Sequence, residues 1–168
     1  MAVGELAGRL DRLTVSVSSP DRRIQARVRD RGARIDVEFA RQAFHDYDER
    51  ALGLQLGQLY RLATDAFRRE YARTVDAALD DPVEGDNRDY QERMARATAM
   101  GVSRDGEVTL ATRGLVEWSA TVAPGVIRRL TTEQFVAALD VALAGLLTDF
   151  QQRVLEIYRA GADHARSR

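Results

Sequence analysis

The chain has 168 residues, 45% of them hydrophobic and 30% charged, with 25 basic residues against 26 acidic ones and a formal net charge of −1. That length can bury a core as one domain or as two small ones, and the absence of cysteine excludes disulfides, thiolate metal sites and cysteine nucleophiles. Every basic residue is arginine, and a charge so near zero argues against a strong electrostatic nucleic-acid binder, since such domains are usually basic.

No apolar run approaches the roughly 18 residues needed to span a bilayer. Met1 to Leu13 mixes acids and arginines and does not read as a signal peptide. A cytoplasmic protein with no membrane partner is the expectation. Charge is uneven along the chain: residues 1–79 hold 14 Arg against 12 acids, 80–100 hold 3 against 6, and 101–168 hold 8 against 8. The acidity sits in the middle.

In chain order, Glu5 to Leu13 is a short helical pattern with Leu6, Leu10 and Leu13 on one side. Thr14-Val15-Ser16-Val17 is a β-branched alternating run that predicts a strand, and Ser18-Ser19-Pro20-Asp21 is turn chemistry. From Arg23 to Arg29 the chain alternates, with Ile24, Ala26 and Val28 facing one way and Arg23, Gln25, Arg27 and Arg29 the other. Asp30-Arg31-Gly32 turns it again, and Ile35, Val37 and Phe39 form the inward face of a third strand. The loop lengths predict antiparallel pairing with one face left to water. Ala40 to Tyr47 reads as a connection, and Asp48 as the cap of a long helix.

Asp80 to Asn87 is polar, contains Pro and Gly, and reads as a linker. Arg88 to Ala99 is a short helix candidate, with Tyr90 and Met94 poised to cover the other half or a partner chain. The pattern then restarts. Val102-Ser103-Arg104-Asp105-Gly106 echoes Val17 to Asp21; Val108, Leu110 and Thr112 repeat Ile24, Ala26 and Val28 at an offset of 84. Arg113-Gly114 stands for Arg31-Gly32 in a hairpin two residues shorter, and Trp118, Ala120 and Val122 repeat Ile35, Val37 and Phe39 at an offset of 83. Pro124-Gly125 ends the strand, Thr131 or Thr132 caps a second long helix to about Arg159, Gly161 stops it, and the residues from Asp163 onward are expected to fray.

The long helices carry the repeat most clearly. Leu52, Leu56, Leu59, Tyr60, Ala63, Phe67, Tyr71 and Val75 each return 83 residues later, as Phe135, Leu139, Ala142, Leu143, Leu146, Phe150, Val154 and Tyr158. All are apolar or aromatic, at the spacing of a single helix face. Each half thus reads short helix, two or three strands, long helix. So small a sheet with one helix buries its faces poorly alone, and two similar halves packed together solve that.

This order resembles the YbaB/EbfC family of bacterial nucleoid-associated proteins. The resemblance is carried by Leu13 to Phe39 followed by Leu52 to Val75, a segment of the type V-x-S-x-D-x-x-I-x-A-x-V, then a Gly turn, a third strand and the helix. Gly101 to Tyr158 matches again, with Val102 to Gly106 near the S-x-D-G turn of the family, so most of the chain is covered. The resemblance implies a dimer of interleaved helices and sheets, a tweezer-like body associated with DNA. Here the implied fold is α+β, with two tandem units at 1–79 and 88–168 joined by an acidic linker at 80–87 and packed as an intramolecular pseudo-dimer; a homodimer of the fused chain stays open. The polar, Met-rich or Gly-rich ends of the family are missing, as are phosphate-contacting lysines. Some actinobacterial relatives resemble accessory proteins of type VII secretion, which supplies the alternative: a protein-interaction module.

For DNA, the candidate residues are Arg22, Arg23, Arg27, Arg29, Arg31 and Arg34, whose guanidinium forks could grip phosphates without reading bases. The competing reading is a solvated face balanced by Asp21, Asp30, Asp36 and Glu38. Arg128 and Arg129 could extend a basic edge, while Arg68, Arg69 and Arg73 read as an ordinary charged helix exterior. His45 and His164 have no second ligand at helical spacing, and no nucleotide-binding or hydrolase motif occurs, so neither metal, cofactor nor enzymatic activity is expected. Trp118, Tyr60, Phe67, Phe135 and Phe150 fall on core positions rather than on a base-stacking platform.

Overall fold

The computed structural model describes residues 3–78 and 88–167; the expected linker at 80–87 lies outside them. The first unit comprises α1 (Val3–Asp11), β1 (Val15–Ser18), β2 (Ile24–Arg29), β3 (Arg34–Phe39) and α2 (Glu49–Asp76). The second comprises α3 (Arg88–Arg96), β4 (Thr98–Val102), β5 (Val108–Arg113), β6 (Glu117–Val122), a single turn α4 (Val126–Arg129) and α5 (Thr132–Arg166). Each unit holds one three-stranded antiparallel sheet, ordered β1-β2-β3 and β4-β5-β6. The fold is α+β, built from two equivalent units.

The helix stripe read from the sequence is the core. Leu52, Leu56, Leu59, Tyr60, Ala63 and Phe67 are all buried on α2, and Phe135, Leu139, Ala142, Leu143, Leu146 and Phe150 on α5. Beyond them the stripe emerges: Tyr71 and Tyr158 are exposed. Asp48 caps α2 by accepting from the Ala51 N–H at 2.7 Å, and Thr131 with Gln134 forms a reciprocal capping box on α5. Ile24, Ala26, Val28, Ile35, Val37 and Phe39 pack beneath the first sheet and merge with the second unit in one continuous core.

The equivalence reaches individual hydrogen bonds. The Ser19 N–H donates to the Ile24 carbonyl at 2.8 Å and the Ser103 N–H to the Val108 carbonyl at 2.9 Å. The Ala40 N–H donates to the Arg23 carbonyl, and the Ala123 N–H to the Glu107 carbonyl, both at 2.8 Å. Ser19 therefore matches Ser103, one residue away from the alignment that Val17 and Val102 suggested. Likewise Arg113 stands where Arg29 does, not Arg31, because Arg29 pairs with Arg34 as Arg113 pairs with Glu117. The second hairpin is one residue shorter, not two.

Two expectations are corrected. The helix expected over Arg88 to Ala99 stops at Arg96, and Thr98–Val102 is the edge strand β4; pairing with β5 and burial of Ala99 override the helical spacing that includes Ala97. Helix α5 does not stop at Gly161 but continues to Arg166. Gly161 lies among alanines, keeps a negative φ and meets no neighbour, so it merely weakens the helix by about 1 kcal/mol. Ala40 to Tyr47 is a connection as expected, and its 3-10 turn at Phe44–Asp46 buries Phe44 completely. Phe44 packs edge-on against Phe39 and, tilted, against Phe135. Its counterpart 83 residues on, Ile127 of α4, is buried as well. Met94 of α3 covers the core of its own unit, and α3 lies on α5.

The two units meet along two seams, α2 against β6 and α5 against β3. At the first the backbones nearly touch: a Cβ on Gly53 would lie 2.6 Å from the Ala120 carbonyl oxygen. Trp118 then stacks on Tyr60 with ring centroids 5.2 Å apart, and its indole N–H donates to Thr64 Oγ1 at 3.2 Å. At the second seam the residues equivalent to Gly53 and Gly57 are Val136 and Asp140, and α5 meets β3 through Phe135 against Phe39, ring centroids 5.9 Å apart. Helix α5 instead closes on β4, where a Cβ on Gly101 would lie 1.8 Å from the Ala142 carbonyl oxygen. The closest backbone approaches of both long helices are thus to the second sheet, and the α5–β3 seam is the less extensive of the two.

Candidate interaction surfaces

Each sheet turns one face to its helices and the other outward, because alternation along a strand separates the two. On the first sheet the outward face carries Ser16, Gln25, Arg27, Asp36 and Glu38, with Arg29 and Arg34 paired at the end nearest the β2–β3 turn. Arg27, Arg29 and Arg34 therefore share this face. Arg22 and Arg23 sit at the β1–β2 turn, and Arg31 sits at the β2–β3 turn, at the other end of a six-residue strand about 20 Å long.

Most of these guanidinium groups are already engaged. Arg29 Nε lies 2.8 Å from Asp36, whose other oxygen is 3.8 Å from Arg34. Arg31 is drawn away from the face altogether, onto Asp11 at 2.6 Å and the Ala7 carbonyl of α1. Arg23 reaches Asp46 at 4.0 Å and lies over the Tyr47 ring. Among the described residues, Arg22 and Arg27 have no ion pair. Along α2, Arg68 and Arg69 pair with Asp65, and Arg73 with Glu70.

The β1–β2 turn is held by a network that sequence patterning did not reveal. Ser19 Oγ donates to Asp21 at 2.6 Å, the Arg23 N–H donates to the same carboxylate at 3.1 Å, and the Tyr47 hydroxyl donates to its other oxygen. Burial pushes the Asp21 carboxyl up, but these donors and the Arg23 charge outweigh it and hold Asp21 below its ordinary value. Burial and the same carboxylate push the Tyr47 hydroxyl up. In the second unit Glu107 stands in place of Arg23 and accepts from Ser103 Oγ at 2.8 Å, which holds its carboxyl low. The signal available in the sequence was the paired Ser19 and Ser103; nothing marked Tyr47 as their partner.

The outward face of the second sheet has a different chemistry. Met100, Val102, Thr109, Ala111, Ser119 and Thr121 stand where the first has Ser16, Ser18, Gln25, Arg27, Asp36 and Glu38. Met100 is 56% exposed and Val102 46%. A depression of about 480 Å³ opens here, with Arg113, Glu117, Asp149 and Arg153 along its rim. Asp149 of α5 accepts the outward Met100 N–H at 3.0 Å, which blunts the free edge of β4.

The two histidines stand apart, His45 hydrogen-bonded to the Leu130 carbonyl at 3.2 Å and His164 near the end of α5. No helix among the described residues is long and apolar enough to cross a membrane. Comparison of the chain with protein-family models, with curated proteins and with solved structures finds no significant match.

Proposed function

We propose that the chain is a non-enzymatic protein-interaction module, in which two fused units present sheet faces of unlike chemistry to partners. The observation that carries this reading is the contrast between those faces. On the first, Arg29 and Arg34 are engaged by Asp36 of the same chain, whereas the second is uncharged across its middle and exposes Met100 and Val102. Exposed apolar side chains on an otherwise ordered sheet favour a protein partner, and the net charge of −1 points the same way. A role as an accessory protein of the type VII secretion kind fits this reading.

The second reading, sequence-tolerant DNA binding in the manner of the YbaB/EbfC family, is favoured by one specific feature. Arg22, beside Arg23 at the β1–β2 turn, and Arg27, on the strand face that ends in Arg29 and Arg34, have no ion pair among the described residues. Titration of random duplex DNA at low and moderate salt separates the two. The interaction reading expects no binding even at low salt. Binding that weakens steeply with salt and is lost on Arg22→Ala/Arg27→Ala would establish the DNA reading in its place. Sizing by sedimentation equilibrium tests whether two fused chains also form a homodimer.

A further inference from the structure

The two sheets end in four strand edges, and the chain itself occupies three of them. The β6 edge faces α2, where Cβ atoms on Gly53 and Gly57 would lie 2.6 and 3.2 Å from the Ala120 and Trp118 carbonyl oxygens. The β3 edge faces α5, with Ile35 and Val37 buried. On β4 the Met100 N–H, which points away from β5, is taken by Asp149 of α5 at 3.0 Å.

Strand β1 has no such cover. The Ser19 N–H donates to the Ile24 carbonyl, so by antiparallel alternation Val15 and Val17 bond to β2, and the N–H and C=O groups of Ser16 and Ser18 point away from it. Both serines are exposed, and no hydrogen bond among the described residues reaches these four groups. Helix α1 lies against α2 and the β2–β3 turn, not along β1. Two exchanges between the units leave this edge open. Ala66, which carries no acceptor, stands where the second unit has Asp149. Val17 and Leu62 stand where it has Gly101 and Gly145, and α2 lies less extensively on β1 than α5 does on β4. Leu62 is left 40% exposed, with Val15, Val17 and Ala66 half-buried.

A row of unpaired donors and acceptors is a template for an added strand. Side chains on such a strand alternate as those of β1 do. Those opposite Val15 and Val17 turn to the helix side, which carries Leu62 and Ala66. The one opposite Ser16 turns outward, toward Arg27, the cross-strand neighbour of Ser16 and a cation without an ion pair among the described residues. Ser16 is short enough to leave that guanidinium within reach. The outward charges on β1 and β2 are Arg27 and Arg29, whereas the acids Asp36 and Glu38 stand one strand further, on β3. We infer, on the protein-interaction reading, that the β1 edge docks an extended segment of a partner protein, which joins the first sheet as a fourth strand with apolar side chains on its inner face and a carboxylate opposite Ser16 that meets Arg27.

The peptide acetyl-Thr-Val-Glu-Val-Thr-amide is the probe, titrated into the full chain labelled at nitrogen for NMR. Saturable shifts of the Ser16 and Ser18 amides are expected, with their hydrogen exchange slowed about tenfold near saturation and that of Met100 unchanged. Methylation of the glutamate nitrogen keeps the charge but removes the N–H that Ser16 must accept, and should abolish binding. Arg27→Gln, on an exposed side chain, should weaken binding about two- to fivefold, as loss of a surface ion pair predicts. Absence of shifts, equal binding of the methylated peptide, or affinity unchanged by Arg27→Gln would each overturn the inference. So would shifts at Ser16 and Ser18 that grow with chain concentration alone, which would make a second copy the occupant. Titration with duplex DNA judges the protein-interaction reading separately: with no DNA bound and no peptide bound, that reading stands and only the β1 site is lost.

Discussion

The close seam can be tested by making the same exchange at two glycines of the long helices. Glycine to alanine inside a helix gains about 1 kcal/mol from backbone entropy and solvation. Gly161 of α5 meets nothing within 4 Å, so Gly161→Ala should stabilise by roughly 0.5–1 kcal/mol. Gly53 of α2 carries the same intrinsic gain, but its Cβ would lie 2.6 Å from the Ala120 carbonyl oxygen, short of the 3.4 Å at which ordinary contact begins. The obstacle is backbone in a paired strand, so α2 and β6 must separate by about 0.8 Å. Overpacking of that kind costs about 1–3 kcal/mol, which cancels or outweighs the gain. The unfolded-state contribution is nearly common to both exchanges, so their difference isolates the seam. Urea unfolding should place Gly53→Ala below Gly161→Ala by about 1–3 kcal/mol, with equal m-values, and thermal melts should separate them by at least roughly 3 °C. If Gly53→Ala proves as stabilising as Gly161→Ala, α2 is not seated on β6 and the pseudo-dimer packing described above is wrong.

Four further expectations follow from the same contacts. Gly101→Ala places a Cβ 1.8 Å from the Ala142 oxygen and 2.5 Å from the Leu146 nitrogen, both backbone, and should cost more than about 3 kcal/mol in urea unfolding. Trp118→Phe keeps a ring on Tyr60 but strands the hydrogen bond to Thr64, for a loss of about 1 kcal/mol by the same measurement. Asp21→Asn removes a carboxylate whose folded pKa is lowered; that group contributes stability above its unfolded pKa and loses it as pH falls through the folded value. Wild type should therefore shed more stability than the variant between about pH 5 and pH 3, read from urea midpoints at each pH. Asp140 has the opposite sign, since its raised folded pKa makes ionisation a penalty above the folded value. Asp140→Asn should be the more stable protein at pH 7, with the advantage vanishing below about pH 4.

What the sequence disclosed follows from which interactions leave a local period. The stripe from Leu52 to Phe67 and its copy from Phe135 to Phe150 recur every three or four residues, so both helices and their buried faces were legible. The strand faces were legible for the same reason, at period two. Phe44 was hidden because a single buried residue in a connection has no period, although Ile127 at the repeat interval hints at it. Strand β4 was hidden because Ala97, Thr98 and Ala99 continue a helical spacing that only pairing with β5 overrules. The six arginines were legible as a cluster in sequence, with Asp36, which holds Arg29 and Arg34, beside them, but the partners of Arg23 and Arg31 were not. Asp11 lies 20 residues from Arg31, and Asp46 lies 23 from Arg23, so the ion pairs that occupy this surface exist only once the chain has closed.

Fusion of the two units removes a constraint that a symmetric dimer cannot escape. In a homodimer, any residue that tightens one seam tightens its twin, and any groove is present twice. Here each seam is encoded separately. Gly53 and Gly57 let α2 close on β6, while α5 carries Val136 and Asp140 at the equivalent positions. Gly101 then gives α5 a different strand to close on, and Val17, its equivalent in β1, gives α2 no such option. The close backbone approaches are therefore concentrated on the second sheet, at Gly53, Gly57 and Gly101. An uncharged sheet face on one unit and a charged face on the other are the differences such independence permits. They place the recognition chemistry of this chain in its departures from internal symmetry, and a partner that ignored those departures would have to read the two units alike.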